Sequence, residues 1–490
     1  MEGALPREIR LCEWSRADHG LSADVCQDID AAAEAWRILN GLSVSPLSFA
    51  GPDGQHLCAQ QYVGVIEVDE VALEIYPKLD AALIEASERQ PLSSATTIDS
   101  VMRNLLWMLE VADHRDLAET ATAHLEEAPT SFFDLFAYLL GKNLLPELER
   151  GVAHAYVTFT DDLKAVRGRI DLVEQVTRNW NRLDRVFCAW DEFTLDTAIN
   201  RLFKCACKFL SERVNYLEAS RLLLDCQALL GEVEDVSPAT ALSGVWNLRF
   251  DRSMERFRTA FDLARRLLAG IGHNLGVGSA NTFVFLLDMN QVFENYVHAV
   301  LESHFKTAVE EQKYVGKLLE VRPGGVSQRA DYYWRHETTI WIGDAKYKHL
   351  AKGLQRALRF SDLEGEQNGV DETVPLAGHV LSPADVRQLT VYAELVRRRE
   401  RMATPPDLML LYPFVGPPGE CIPDRVAAWN GSTFWLMPVQ VKALKLVGDA
   451  ISWLRPCTEG VGDQTATACP KSSVGGQVKS PISRLPISGT

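Results

Sequence analysis

Asp331, Asp344 and Lys346 are the residues of this sequence best placed to do chemistry. Asp331 lies in Arg329-Ala-Asp-Tyr-Tyr-Trp334, and the other two lie in Thr338-Thr-Ile-Trp-Ile-Gly-Asp-Ala-Lys-Tyr-Lys348. Both runs are rich in β-branched and aromatic side chains and read as strands. The polar Arg335-His-Glu-Thr338 between them can turn. A two-residue turn at Glu337 and Thr338 sets Asp331 opposite Asp344 in an antiparallel pair, where facing side chains lie about 5 Å apart at Cβ. Asp344 and Lys346 share one strand face, and Ala345 points to the other. Two carboxylates able to share one cation, with an ammonium beside them, suit metal-assisted hydrolysis of a phosphodiester. Mg²⁺ takes oxygen ligands and keeps several waters, so two or three carboxylates plus a substrate phosphate form a sensible site, with Mn²⁺ as a substitute. The metal can polarise the phosphate and lower the pKa of an attacking water, and a lysine can orient or help deprotonate that water and offset developing charge. Asp331 and Asp344 are therefore the expected metal ligands and Lys346 the expected catalytic lysine. A strand-end salt bridge is the plainer alternative for Asp344 and Lys346.

Elements on both sides must position these residues. Leu286 to Phe305 has a helical pattern, with Met289, Val292, Phe293, Tyr296, Val297, Val300 and Leu301 in one apolar stripe. Asn290, Glu294 and His298 lie along its border, and Glu294 is a further candidate ligand, direct or through water, with a solvated helix border as its alternative. Ser382-Pro-Ala-Asp385 announces a second helix, with Ser as N-cap, Pro at the first position and an acid at the third. On it Gln388 and Tyr392 share a face and are expected to support the centre. Leu408–Tyr412, stopped by Pro413, and Ser432–Met437 read as further strands, and about 351–381 as loop. Asp162-Leu-Lys164 repeats the Asp-x-Lys pattern but lacks an acid on a paired strand upstream, so it reads as a decoy. Arg397-Arg-Arg-Glu-Arg401 reads as a solvated helix end that could touch a backbone phosphate.

The remainder divides by pattern. Residues 1–97 look rich in strands and loops, with Gln61–Val68 and Val71–Tyr76 as a hairpin turning at Asp69-Glu70, a turn at Gly51-Pro-Asp-Gly54 and a linker at 81–96. Residues 98–275 are mainly helical, including Phe132 to Leu148. The glycine-rich Gly270-Ile-Gly-His-Asn-Leu-Gly-Val-Gly278 marks a boundary, and 276–455 is the expected catalytic α/β domain. That break lacks the Gly-Lys-Ser/Thr ending of a P-loop, so nucleotide hydrolysis belongs to another chain. Residues 456–490, rich in Ser, Gly, Thr and Pro, read as a disordered tail. The 490 residues are 47% hydrophobic and 24% charged, an ordinary globular composition. No apolar run approaches the ~18 residues of a membrane span, and no secretory signal pattern is visible. Ten cysteines without a Cys-x-x-Cys point to reduced thiols in a cytoplasm. The net charge of −16 cannot grip DNA by overall electrostatics, because that grip comes from Lys and Arg on phosphates.

The chain resembles the McrC family, the nuclease subunits of McrBC-type methylcytosine-dependent restriction systems. The likeness rests on the segment from Tyr62-Val-Gly-Val-Ile66 to Ile75-Tyr-Pro-Lys78, on Arg167-Gly-Arg-Ile-Asp171, and on Asp196 with Asn200-Arg201. It continues through Met289-Asn-Gln-Val-Phe-Glu294, Asp331, Asp344-Ala-Lys-Tyr-Lys348 and Gln388 with Tyr392. The resemblance implies a PD-(D/E)xK core, a mixed sheet flanked by helices, after a helical middle and a β-rich N-terminal region. Ala330 stands where that motif names proline, and the interval from Lys348 to Gln388 is long. It also implies a separate AAA+ GTPase, McrB-like, that recognises modified double-stranded DNA and forms a ring. The N-terminal part of such a chain docks on the ring and stimulates GTP hydrolysis, so GTP enters only through the partner. Two copies of the chain could serve double-strand cleavage. Two other readings stay open: a non-catalytic activator of an AAA+ NTPase with a degenerate nuclease fold, and a repair-type nuclease, against which the scattered cysteines argue.

Overall fold

The computed structural model describes residues 7–18, 20–42, 44–50, 56–79, 95–113, 129–271, 282–317, 326–336, 338–347, 374–376, 379–414, 424–427, 431–441 and 451. Ser327–His336 and Thr339–Ala345 form an antiparallel pair closed by His336 opposite Thr339. The pairing runs to Tyr332 opposite Gly343, and the same register carried one residue further sets Asp331 opposite Asp344. These strands belong to a six-stranded mixed sheet ordered Glu310–Lys317, Ser327–His336, Thr339–Ala345, Asp407–Phe414, Thr433–Gln440, Asp424–Ala427. The three strands Thr339–Ala345, Asp407–Phe414 and Thr433–Gln440 run parallel, and every residue from Leu408 to Pro413 is buried. Such an unbroken apolar run is what a strand covered on both faces requires. The strand passes through Pro413 to Phe414 instead of stopping at the proline, since Pro413 keeps its place opposite Val439 in the ladder.

A helix covers each face. Tyr332, Trp334, Ala345, Met409 and Met437 share a core with the helix Met289–Phe305. Tyr333, Ile342, Leu408, Leu410 and Leu436 share another with Leu389, Tyr392, Ala393 and Val396 of the helix Pro383–Glu400. All seven members of the stripe read from sequence are buried. His298, expected on the border, is buried too, with Nε2 2.8 Å from the Val309 carbonyl oxygen. Residues Leu286 to Asp288 are not helical. They end the strand Thr282–Asp288, and the Asp288 carboxylate caps the following helix by accepting from the Asn290 amide. At the other helix Ser382 accepts from the Ala384 amide, with Pro383 in the first turn.

The strand Thr282–Asp288 joins a four-stranded sheet ordered Arg7–Cys12, Val71–Tyr76, Tyr62–Val68, Thr282–Asp288. Tyr62–Val68 and Val71–Tyr76 form the expected hairpin, turning at Asp69 and Glu70 with Asp69 at φ 50°. Gly64 has φ +144°, and an added Cβ would collide with the Phe285 carbonyl oxygen on the neighbouring strand. The N-terminal region is less purely β than expected, because Ala23–Leu39 is a helix capped by Ser22. The middle region contains the expected helices Ala95–Asp113 and Phe132–Glu149. It also carries a three-stranded sheet of Ala155–Leu163, Val186–Thr194 and Arg169–Ile170. One continuous core takes in Val65, Trp107, Phe136, Phe203, Phe285, Phe293, Trp334 and Met437, from the four-stranded sheet, the middle helices and the six-stranded sheet with its helix. The turn at Gly51–Gly54, most of the 81–96 linker, most of the glycine-rich break and the segment from Pro456 lie outside the described residues, as does most of 351–381. Within that last interval Val374–Leu376 and His379–Leu381 pair as a short hairpin.

Candidate active site

Asp344 is fully buried one residue before the end of its strand. The chain continues in ladder fashion, with the Lys346 amide donating to the Leu411 carbonyl at 2.9 Å. Lys346 Nζ lies 2.8 Å from an Asp344 carboxylate oxygen, an ion pair whose approach is out of line for a hydrogen bond. Neither Asp344 oxygen has an aligned donor. Burial, reinforced by the facing charge and proximity of Asp331, pushes the Asp344 carboxyl up to about 8 despite Lys346. Burial also works against the Lys346 charge, but Asp344 and Asp331 outweigh it and hold the ammonium above its usual range. Lys346 is thus an ammonium at neutral pH, suited to neutralising charge and orienting a water more than to taking a proton.

Asp331 is half-buried and accepts a 3.2 Å hydrogen bond from Gln312 Nε2. Glu294 comes from the helix Met289–Phe305, whose position is tied to the strand by the Tyr332 hydroxyl donating to the Glu294 carbonyl at 2.8 Å. Burial first, and then repulsion from Asp331, push its carboxyl up to about 7, with Lys346 pulling the other way. Gln388 Nε2 donates to the Tyr392 hydroxyl at 2.8 Å. Burial raises the Tyr392 hydroxyl pKa, and the charges of Asp344, Asp331 and Lys346 reach it. All six residues singled out from the sequence therefore fall within one electrostatic neighbourhood or in direct contact with a member of it.

A divalent cation fits the donor set. Two facing carboxylates, one buried without an aligned donor, are held as charged groups only at a cost, and a cation between them would offset it. Among the described residues, no three His, Cys, Asp or Glu side chains are grouped so as to hold a metal ion by themselves. An ion here would keep waters or take phosphate oxygens, as Mg²⁺ does.

Asp385, read from sequence only as a helix-start acid, is buried, and its charge acts on Lys346. Its position in the first turn after a Ser-Pro cap concealed that role. The second Asp-x-Lys is structural, since Asp162 accepts from Asn179 at 2.6 Å and is flanked by Arg182 and Arg185 at 3.7 and 3.6 Å. Other motif residues also hold the fold. Asp196 takes a two-pronged hydrogen bond from Arg201, and Asn200 donates to the Ala153 and Leu195 carbonyls. Gly168, at φ +68°, packs so closely on Ala189 and Trp190 that no side chain fits. In the basic run, Arg397 and Arg398 are paired with Glu394, and Arg399 donates to the Tyr314 carbonyl.

No helix among the described residues is long and apolar enough to cross a membrane. No curated protein matches the chain in sequence. Among solved structures the chain is similar to one in the half-complex from a tetradecameric assembly of Thermococcus gammatolerans McrB AAA+ hexamers with bound McrC. That match has a TM-score of 0.57 and 19% identity, and it covers 91% of this chain and 98% of the other. It speaks for a shared mixed α/β fold. A chain of the Thermococcus gammatolerans McrBC complex is also similar, with a TM-score of 0.40, 20% identity and 62% and 89% of the two chains covered. The family model for the McrBC 5-methylcytosine restriction system component matches residues 57–363, well over half of the sequence. The chain belongs to that family.

Proposed function

We propose that this chain is the DNA endonuclease subunit of a modification-dependent restriction system, built on a PD-(D/E)xK core and acting in the cytoplasm with a separate AAA+ GTPase. The observation that carries the reading is the meeting of Asp331, Asp344, Lys346 and Glu294 around a buried carboxylate without an aligned donor. Asp331 and Asp344, with Glu294 directly or through water, would hold Mg²⁺. When bound, the ion polarises the scissile phosphate and acidifies the attacking water. Lys346 offsets charge developing on the phosphate. Burial and Asp331 push the Glu294 carboxyl up to about 7, a strain that a cation beside it would relieve. Tyr392, held by Gln388, supports the centre from the helix Pro383–Glu400.

The −16 net charge leaves recognition of methylated duplex to the partner. The solved relative's McrB AAA+ hexamers supply the model for that partner, whose GTP hydrolysis this chain would stimulate. The N-terminal region, 1–97, remains one candidate docking region. A second is the segment made of the middle sheet with the helix Leu172–Arg178 and the turn after it, because more than half of the large exposed hydrophobic side chains among the described residues fall between Tyr156 and Phe193. Patches of that kind mark contact surfaces.

With the GTPase present, Asp344→Ala and Lys346→Ala should lose DNA cleavage by at least about a hundredfold while GTPase stimulation persists. Cleavage at the parental rate by either variant would sink the assignment. A second reading is a non-catalytic activator, since among the described residues no three His, Cys, Asp or Glu side chains are grouped so as to hold a metal ion. Titration calorimetry separates the two, since an activator gives no Mg²⁺ heat that depends on Asp331 and Asp344.

A further inference from the structure

The strands Arg7–Cys12, Val71–Tyr76 and Thr282–Asp288 run in one direction, each set by its pairing within the four-stranded sheet. Their C-terminal ends therefore bring Glu13, Lys78 and Asp288 to one end of that sheet. The Glu13 amide donates to the Tyr76 carbonyl at 2.9 Å, so the residue is fixed by the ladder. Its side chain is buried, and Oε1 accepts from the Lys78 amide at 2.7 Å and from the Tyr347 hydroxyl at 2.6 Å. Its Oε2 is buried without a hydrogen-bond partner. Lys78 and Asp288 are the charged groups that act on it, with Cys12 beside it.

Tyr347 immediately follows Lys346, and its ring packs against Phe293, 5.8 Å between centroids, immediately before Glu294. The phenol next to Lys346 thus packs on the ring next to Glu294, and its hydroxyl is held from the other sheet. A buried carboxylate with an unsatisfied oxygen costs stability, which an apolar residue of the same shape would not. Catalytic groups, in contrast, must be held to within about 0.5 Å. We infer that Glu13, acting through Tyr347, is a positioning residue for Lys346, so that the N-terminal sheet sets the geometry of the centre. This rests on the nuclease reading given above.

The test uses the full chain with its AAA+ GTPase partner, DNA and Mg²⁺. Tyr347→Phe removes only the hydroxyl, Glu13→Leu removes the acceptor, and Glu13→Gln keeps an acceptor in place. Tyr347→Phe and Glu13→Leu should lower kcat for cleavage about tenfold, leaving KM and GTPase stimulation within about twofold, and Glu13→Gln should recover most of the loss. Parental kcat in Tyr347→Phe overturns the inference. So does a parallel fall of kcat and GTPase stimulation that tracks a lowered Tm, the mark of a merely structural role. If Glu13→Leu does not fold, Tyr347→Phe and Glu13→Gln decide. Asp344→Ala, assayed alongside, keeps the two claims apart. If it cleaves normally the centre is wrong; if it is dead while Tyr347→Phe is normal, only the coupling is wrong.

Discussion

Asp344 is a carboxylate placed where a carboxylate is unstable, buried opposite Asp331 with the Lys346 ammonium beside it. Groups arranged for chemistry often lower stability in this way. In EDTA at pH 8–9, Asp344→Asn should therefore melt at or above the parental temperature. Mg²⁺ at about a hundred times its Kd should stabilise the parent by about 2.7 kcal/mol and the variant hardly at all. A calorimetric melting series with and without Mg²⁺ checks both, and a variant that melts well below its parent in EDTA would show Asp344 to be a structural ion-pair partner. Glu13 gives a second pH signature. Burial raises its carboxyl from 4.5 to about 7, so the folded state binds the proton more tightly than the unfolded chain. The associated stability is fully present below about pH 4.5 and is lost as pH rises through about 7, up to roughly 3 kcal/mol. Glu13→Gln should flatten that part of the stability–pH curve in urea titrations; an unchanged slope would mean that Glu13 does not carry the proton.

At the scale of elements, close approach decides more than hydrophobicity. Gly64 lies where Tyr62–Val68 meets Thr282–Asp288, and a side chain would strike the Phe285 carbonyl. Gly64→Ala should cost about 3 kcal/mol or more, read as a lowered urea midpoint; a change under about 1 kcal/mol would show that the strands can part there cheaply. The pairing of Ser327–His336 with Thr339–Ala345 was legible because the turn length fixes which residues face, so the opposition of Asp331 and Asp344 follows from counting. The cap at Ser382 was legible for a similar reason, since its chemistry is local. The helix Ala23–Leu39 was hidden because two of its four buried side chains, Ala32 and Ala33, add little hydrophobic signal. Leu286–Asp288 was read as helix because the apolar run from Phe283 has no period of its own to separate strand from helix. Tertiary company, invisible in one sequence, decided that case. It also decided Asp385 and Tyr347, whose importance comes from neighbours distant in the chain.

At the scale of the molecule, a net charge of −16 stands beside exposed hydrophobic side chains concentrated between Tyr156 and Phe193. Exposed Trp180 and Leu183, with Val173 and Val176 nearby in sequence, offer a partner apolar area that a free surface would not favour. Trp180→Glu with Leu183→Glu should weaken binding to the AAA+ GTPase by about a hundredfold (roughly 2.7 kcal/mol), with the melting temperature unchanged because both side chains are already in water. Interferometry against the assembled ring would show it, and undiminished binding would move the docking surface elsewhere, to the N-terminal region first. The strand Thr282–Asp288 sets a limit on how this molecule can be divided. It completes a sheet whose other three strands come from the first 76 residues, then turns directly into the helix that carries Glu294. A chain cut at residue 275 would leave Tyr62–Val68 as a bare edge, apolar but for Glu67 and open to any strand it met. The C-terminal half would in turn lose the sheet that seats its helix. Two such fragments, produced together, should recover each other by pairing along that edge, and produced apart each should aggregate.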